Sequence, residues 1–379
     1  MISHFRTAAR IAAAVMFVVS SGACDSRSST FNSQPGSIPL SPKLQKLFAK
    51  TKPVCFGRYL LQVPVEAELI WGPASVPSQI VDVKGDFDDL KSMVAKDIAR
   101  LESARENFEL VFNGPGPVPS SWQIRYYEDH VAKKLDSLMF VTYVNKDGRV
   151  FILRGAAEKK GEVSVVANEE AVRAASIRPR NPEEVPTEPG FCLDHAFIAE
   201  STYRSQEMIN VGIFMPSLPD VTFSISSNKD AYADYPKDEF ERKKKEELSL
   251  LARIRAAQKE QGMAYPQRTV LREGKRSVMH WDGEESLIKR PDGVHDFEWG
   301  YIGKPLDVAY PSEVIVNMYS KVEHDQVGAA KVVSVSDDEA LAVWDKLLAG
   351  LQFRVKVPGA PPGSYPATPA PEAGGAASQ

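Results

Sequence analysis

Two pairs of residues in this sequence have the types that acid–base chemistry requires, and one of them also has the spacing. His280 and Asp282 flank Trp281, and residues two apart on a β-strand share a face, where a histidine and a carboxylate can exchange a proton. Asp194 and His195 are adjacent, so on a strand their side chains point to opposite faces. An enzyme using His280 and Asp282 would need a deep pocket around both. We favour a satisfied polar cluster beside a packed indole and predict no catalytic residue.

Other chemical motifs are missing from the sequence. The hydrolase nucleophile elbow, G-x-S-x-G, does not occur. The Gly-Pro-Gly-Pro run at residues 114–117 cannot cradle a phosphate, because each proline removes a backbone N–H donor. None of the six histidines pairs with another at the i, i+4 spacing of a helical metal site. We therefore predict no metal, no cofactor and no small-molecule substrate.

The charge of the chain argues against a nucleic-acid partner. Its formal net charge is −4, and no basic stripe stands out against the acidic residues.

The N-terminal residues are typical of an export signal. Residues 1–23 contain Arg6 and Arg10, an apolar run at residues 11–19 and small residues before Cys24. The run is too short for a transmembrane helix, which needs about 20 apolar residues. A cysteine directly after such a site resembles the lipid acceptor of bacterial lipoproteins. We expect a periplasmic protein held at the membrane by a lipid on Cys24; the alternative is release into the periplasm by an ordinary signal peptidase.

The two remaining cysteines, Cys55 and Cys192, are disulfide candidates. An oxidising periplasm allows such a bond to form and persist. The alternative is a pair of buried thiols, because the sequence does not give the distance between their Cα atoms.

Acidic and aromatic residues cluster between positions 281 and 301. Carboxylates surround Gly283, and the aromatic residues are of the types that contribute most binding energy when exposed in an interface. The candidates for contact with a partner are Trp281, Asp282, Glu284, Glu285, Trp299 and Tyr301. An acidic surface would speed the encounter with a basic partner. The alternative is a solvated hairpin whose aromatic side chains belong to the core.

The periodicity of apolar residues predicts an α+β fold. A serine–proline pair starts a short helix near residue 42, and Ser336 with Glu339 forms a capping box for the last helix. Opposite charges at i, i+4 support a long helix at residues 237–261, with a basic membrane-surface helix as the alternative. The other predicted elements are helices at 86–105 and from residue 168, a turn at 145–148, and strands at 54–63, 122–127, 138–144, 150–153, 191–199, 211–215, 221–226, 268–272, 277–281, 285–289, 296–302 and 313–321.

Changes in composition divide the chain into segments. The prediction is a signal peptide at 1–23, a flexible tether at 24–40, an α+β domain at 41–180, a linker at 181–190, a second α+β domain at 191–356 and a disordered Pro/Ala/Gly tail at 357–379. Each half ends with a helix followed by an arginine-tipped segment, at residues 177–180 and 351–354. We interpret this as a weak internal duplication, with two related lobes that each contain a mostly antiparallel sheet and packed helices.

Three segments together resemble the type VI secretion lipase immunity proteins of class four. They are Val54-Cys55-Phe56-Gly57-Arg58-Tyr59, Gly190-Phe191-Cys192-Leu193-Asp194, and Asp338-Glu339-Ala340-Leu341-Ala342-Val343-Trp344-Asp345. The sequence departs from the expected family pattern at residues 194–196, where smaller, glycine-rich residues would follow the cysteine.

The resemblance implies a claw-like, two-lobed inhibitor without catalysis. Such a protein would sit in the periplasm and grip a cognate phospholipase effector, preventing that enzyme from opening toward its lipid. A different hypothesis is a structural or scaffolding envelope lipoprotein that has no effector partner.

Overall fold

The computed structural model describes residues 38–76, 78–84, 86–158, 161–200, 206–229, 248–303, 308–320 and 333–354. The predicted signal peptide, Cys24, almost all of the predicted tether, the C-terminal tail and the first half of the predicted helix at 237–261 lie outside these ranges. The α-helices of the described ranges are α1 (Pro42–Leu47), α2 (Phe87–Ala104), α3 (His130–Leu135), α4 (Val163–Ser176), α5 (Leu250–Gln261) and α6 (Asp337–Ala349). None of the helices in this part of the chain is long and apolar enough to cross a membrane.

The strands follow the chain in two groups. Those of the first half are β1 (Thr51–Phe56), β2 (Tyr59–Pro64), β3 (Glu68–Val76), β4 (Ser78–Lys84), β5 (Glu109–Pro115), β6 (Ser121–Tyr127), β7 (Leu138–Lys146), β8 (Arg149–Ala157) and β9 (Ile177–Pro179). Those of the second half are β10 (Phe191–Leu193), β11 (Ala196–Ile198), β12 (Glu207–Phe214), β13 (Thr222–Lys229), β14 (Thr269–Val278), β15 (Trp281–Lys289), β16 (His295–Ile302), β17 (Glu313–Tyr319) and β18 (Leu351–Phe353).

A sheet of twelve strands runs through both halves, in the order β14-β15-β16-β17-β13-β12-β3-β4-β8-β7-β6-β5. Every pairing in it is antiparallel. Helix α2 covers one face of the first-half strands, where Leu90 and Val94 pack with Ile124 and Tyr143. The predicted α+β class with mostly antiparallel sheets is therefore confirmed.

Two small sheets show that the halves exchange their last strands. The hairpin β1–β2 pairs with β18 from the end of the second half, and the hairpin β10–β11 pairs with β9 from the end of the first half. The registers are equivalent, because Leu351 lies opposite Leu61 and Ile177 lies opposite Ile198. Each half therefore completes the small sheet of the other.

The arginines at the ends of these last strands bind the predicted linker. Arg354 donates to the carbonyls of Glu188 and Gly190 at 2.7 and 2.8 Å, and Arg180 donates to the carbonyl of Glu184 at 2.9 Å. Both arginine side chains are buried, at 4% exposure. The segment between the halves is thus fixed by main-chain hydrogen bonds to two buried guanidinium groups.

Two predicted strands are in fact hairpins. Residues 54–63 turn at Gly57, which has φ +51°, and residues 191–199 turn at His195, which has φ +50°. In both cases apolar residues on the two sides of a tight turn have the pattern of one continuous buried strand. Residues 268–272 and 277–281 are predicted as two separate strands, but β14 runs without interruption to Val278. The chain then turns at Met279, which has φ +54°.

Candidate functional site

Strand β3 has an open edge inside the large sheet. It pairs with β12 from Glu68 to Ser75, but with β4 only at Ser75 and Val76. On its other side β4 pairs with β8 from Gln79 to Lys84. Within the described ranges, the edge of β3 from Glu68 to Ala74 that faces away from β12 therefore has no strand partner. Pro73 fits this position, because proline has no N–H to donate and is confined to strand edges.

The side chains along this edge are apolar and partly open to solvent. Leu69 and Trp71 pack against the main core without being fully buried, and Ile70 on the opposite face is 46% exposed. Gly72 lies against β12, where an added Cβ would come within 3.0 Å of the Cβ of Asn210. An apolar strand edge that lacks a partner strand can accept an extended segment of another protein as an additional strand.

Four of the six predicted contact residues are buried in the structure. Trp281 and Trp299 are 0% exposed, Glu285 is 3% exposed and Tyr301 is 7% exposed. Both indoles are anchored, because Trp281 Nε1 donates to the carbonyl of Ala309 at 2.7 Å and Trp299 Nε1 donates to that of Arg276 at 3.0 Å. In this structure the four side chains lie in the core, which is the alternative that the sequence left open.

Glu285 belongs to a buried ionic cluster. Its carboxylate accepts hydrogen bonds from Arg272 at 2.7 Å, Arg276 at 2.9 Å and the indole of Trp344 at 3.2 Å. Asp345 accepts from the same two arginines. The cluster joins α6 to β14 and β15, so its role is to hold these elements together.

The other two predicted contact residues remain accessible but have local partners. Asp282 is exposed and accepts a hydrogen bond from the hydroxyl of Ser277 at 2.7 Å. Glu284 is half-buried and accepts from the backbone N–H of Leu251, in the first turn of α5, at 2.9 Å. Nearby, Glu298 pairs with Arg253, and its burial raises the pKa of its carboxyl. The carboxylates of the acidic region therefore already have local hydrogen-bond donors.

His280 and Asp282 do not form an acid–base pair. The Nε2 atom of His280 lies 2.6 Å from the carbonyl oxygen of Ala309, and its ring contacts the rings of Tyr310 and Phe353. Asp282 instead faces Ser277. His280 lies in the hairpin turn before β15, whereas Asp282 lies on β15 itself. The two side chains therefore contact different partners.

The two cysteines of the predicted pair are joined in the structure. Cys55 on β1 and Cys192 on β10 form a disulfide with a Cα–Cα distance of 5.9 Å. They occupy equivalent positions, because Cys55 lies opposite Leu60 and Cys192 lies opposite Phe197. The bond connects the two hairpins that exchange their closing strands.

A second buried ionic cluster lies beside the disulfide. Arg58 is 1% exposed and Glu207 is 5% exposed, and the Nε atom of Arg58 lies 3.1 and 3.0 Å from the carboxylate oxygens of Glu207. Arg58 also donates to the carbonyl and the carboxylate of Glu200, both at 2.9 Å. The turn of the first hairpin is thus held on the second half of the chain.

The open edge of β3 was missed by the sequence analysis, which assigned no strand to residues 68–76. The segment Leu69-Ile70-Trp71-Gly72-Pro73 is interrupted by a glycine and a proline, both of which are unfavourable inside strands. A proline after three apolar residues is the signal that could have indicated an edge strand.

Both halves of the chain match one protein family. Residues 52–176 match the family model for the "Tle cognate immunity protein 4 N-terminal domain", and residues 184–356 match the one for the "Tle cognate immunity protein 4 C-terminal domain". No protein with a curated description matches the chain.

Solved structures share the fold of both domains. The immunity protein TplEi of the type VI secretion system from Pseudomonas aeruginosa is 22% identical, with a TM-score of 0.63 over 80% of this chain and 97% of that one. The same protein in complex with an "L" peptide gives a TM-score of 0.60 at 22% identity, over 80% and 98% of the two chains. A chain of the Tle4–Tli4 complex is 23% identical, with a TM-score of 0.65 over 81% of this chain and 98% of that one. The protein belongs to the Tle cognate immunity protein 4 family, as its N-terminal and C-terminal domains both show.

Proposed function

We propose that this protein binds a cognate type VI secretion phospholipase effector in the periplasm and inhibits it sterically, without catalysing a reaction itself. The observation that carries the proposal is the match of both halves, in order, to the two domains of an immunity-protein family. A related chain occurs together with Tle4 in a solved complex, and TplEi occurs in complex with a peptide. These relatives support a protein partner for this chain.

The open edge of β3 is the surface that we assign to the effector. A segment of the effector would add to the sheet beside residues 68–74, with main-chain hydrogen bonds supplying affinity and side-chain pockets supplying specificity. Such a segment would cover Leu69 and Trp71 at the border of the core and contact Ile70. A recessed edge of this kind suits a narrow extended segment, because β4 starts only two residues after β3 ends.

The predicted anchor and domain limits complete the proposal. A lipid on Cys24 would keep the inhibitor at the membrane, where the effector has its substrate. The two domains, at 41–180 and 191–356, would each contribute contacts with the effector, with the linker at 181–190 between them.

Co-expression with the cognate lipase, which we expect to be encoded beside this gene, tests the proposed function. We expect the two proteins to copurify and a cell that exports the lipase to survive only when it also exports this chain. Failure to copurify together with failure to protect would contradict the proposal.

Substitution of Ile70 tests the proposed surface separately. We expect Ile70→Asp to weaken effector binding by about tenfold or more, the effect typical of a central apolar contact. Val172→Asp is the matched control, because Val172 is 59% exposed and belongs to α4 instead of β3. Titration calorimetry with the purified effector measures both. Equal affinities for the two variants would place the interface elsewhere while leaving the inhibitory function intact.

A further inference from the structure

A groove lined by lysines lies where the described chain begins. Helix α1 carries Lys43 and Lys46 at i and i+3, on one side of the helix, and Lys50 follows three residues after the helix ends. They line a groove of about 470 Å³ together with Leu47 and Val65. The groove thus has an apolar floor and a basic rim.

Two of the three groove lysines have no acidic partner among the described residues, whereas Lys43 lies near Glu339, whose pKa is lowered by a hydrogen bond from Ser41 and further by the charge of Lys43. All three are exposed, and within the described part of the chain Lys46 and Lys50 have no carboxylate within salt-bridge distance. Lys43 donates to the carbonyl of Ser334 at 3.1 Å. Glu66, the acidic residue of the groove, accepts instead from the backbone N–H and the hydroxyl of Ser217, at 2.8 and 2.7 Å. The groove is therefore a local positive patch on a chain whose formal net charge is −4.

The apolar residues of the groove are positioned to meet a bilayer. Val65 is 56% exposed beside these lysines, and Leu47 is only partly buried. A surface that combines exposed apolar side chains with lysines fits the boundary between headgroups and acyl chains of an anionic membrane.

The position of the groove relative to the N-terminus favours a membrane as its occupant. Ile38, the first described residue, is 14 positions after Cys24. A chain of that length can span at most about 50 Å, so a lipid on Cys24 would keep α1 close to the membrane. We propose that the groove formed by Lys43, Lys46, Lys50, Leu47 and Val65 docks the protein on the anionic phospholipid surface of a membrane. This role goes beyond effector inhibition and does not depend on it.

Vesicle binding tests the proposal without the anchor. The full chain carrying Cys24→Ser, exported and purified without lipid, is sedimented with vesicles of phosphatidylglycerol and phosphatidylethanolamine or of phosphatidylcholine alone. We expect binding to the anionic vesicles only. The triple variant Lys43→Gln, Lys46→Gln, Lys50→Gln should lower the partition coefficient about 100-fold, since each lysine near an anionic surface contributes about fivefold. Binding should also weaken in 0.5 M salt, where charges are screened within about 4 Å.

A variant with the same charge change provides the control. Lys96→Gln, Lys134→Gln, Lys259→Gln alters three exposed lysines outside the groove and should bind anionic vesicles like the parent. Thermal melting verifies that both triple variants are folded. Equal vesicle binding by the two variants, or equal binding of the parent to both vesicle types, would overturn the proposal. So would loss of effector binding in the groove variant with unchanged vesicle binding, because the groove would then be an effector contact.

Discussion

Buried charges hold this protein together at the level of single residues. Arg58 lies in a hairpin turn of the first half and is matched by carboxylates of Glu207 and Glu200 in the second. Taking one partner away leaves the others in a site from which water is excluded, and that desolvation is costly. Exposed ion pairs such as Lys133 with Glu109 keep their hydration and contribute little.

Removing the Arg58 guanidinium should therefore destabilise the fold strongly. We expect Arg58→Ala to lower the free energy of unfolding by about 3 to 5 kcal/mol, because Glu207 is left buried without its partner. Lys133→Ala, in a pair whose side chains are 56% and 47% exposed, should cost at most about 1 kcal/mol. Urea denaturation followed by circular dichroism measures both variants. A loss of similar size in the two would show that the buried cluster is not a special source of stability.

The closing strands are the elements that couple the two halves. Strand β18 contains only Leu351–Phe353 and pairs with β2, while β9 contains Ile177–Pro179 and pairs with β11. Three residues make few main-chain hydrogen bonds, so these strands depend on side-chain packing for their position. Phe353 is 0% exposed, and its ring lies 5.2 Å from that of Tyr59 and 5.6 Å from that of Trp281.

Truncating Phe353 should weaken both halves although the residue is near the end of the described chain. We expect Phe353→Ala to cost about 3 to 5 kcal/mol, the usual effect of removing a buried aromatic ring. Gln352→Ala on the same strand should cost under about 1 kcal/mol, because Gln352 is only partly buried. Hydrogen exchange of the β1–β2 hairpin provides the decisive measurement. Unchanged protection of that hairpin in Phe353→Ala would contradict the coupling.

At the scale of the whole molecule, the disulfide and the strand exchange join the two domains to each other. The bond joins positions 137 residues apart, and both cysteines are nearly fully buried, at 2% and 0% exposure. A cross-link over so long a loop restricts the unfolded chain far more than the folded one. Formation of the bond in an oxidising compartment is consistent with a periplasmic protein.

Removing the disulfide should lower stability without changing the native contacts around it. On the chain-entropy account, the double variant Cys55→Ala, Cys192→Ala loses about 5 kcal/mol. Equilibrium unfolding in urea, with and without dithiothreitol, measures this loss. Reduced parent protein should match the variant, and the variant should not respond to the reductant. A loss below about 1 kcal/mol would mean that other contacts already restrict the unfolded chain.

Features set by neighbouring residues were accessible from the sequence. The last helix starts at Ser336 with the predicted capping box to Glu339, and the helix predicted at 86–105 is α2. The turn predicted at 145–148 has Asp147 and Gly148 at positive φ, as a tight hairpin requires. The α+β class and the immunity-protein family were likewise predicted from local patterns and short motifs.

Only the tertiary structure decided how distant segments meet. The sequence leaves several possible partners for many strands and side chains. Examples are the pairing of β3 with β12, the exchange of β9 and β18, and the burial of Trp281 and Trp299. The apolar pattern of a strand indicates that one face is covered but does not identify the element that covers it. A tryptophan is found in protein cores as well as in interfaces. The physical reason is that such contacts depend on packing between residues far apart in the chain, whereas caps, turns and helix faces depend on residues a few positions apart.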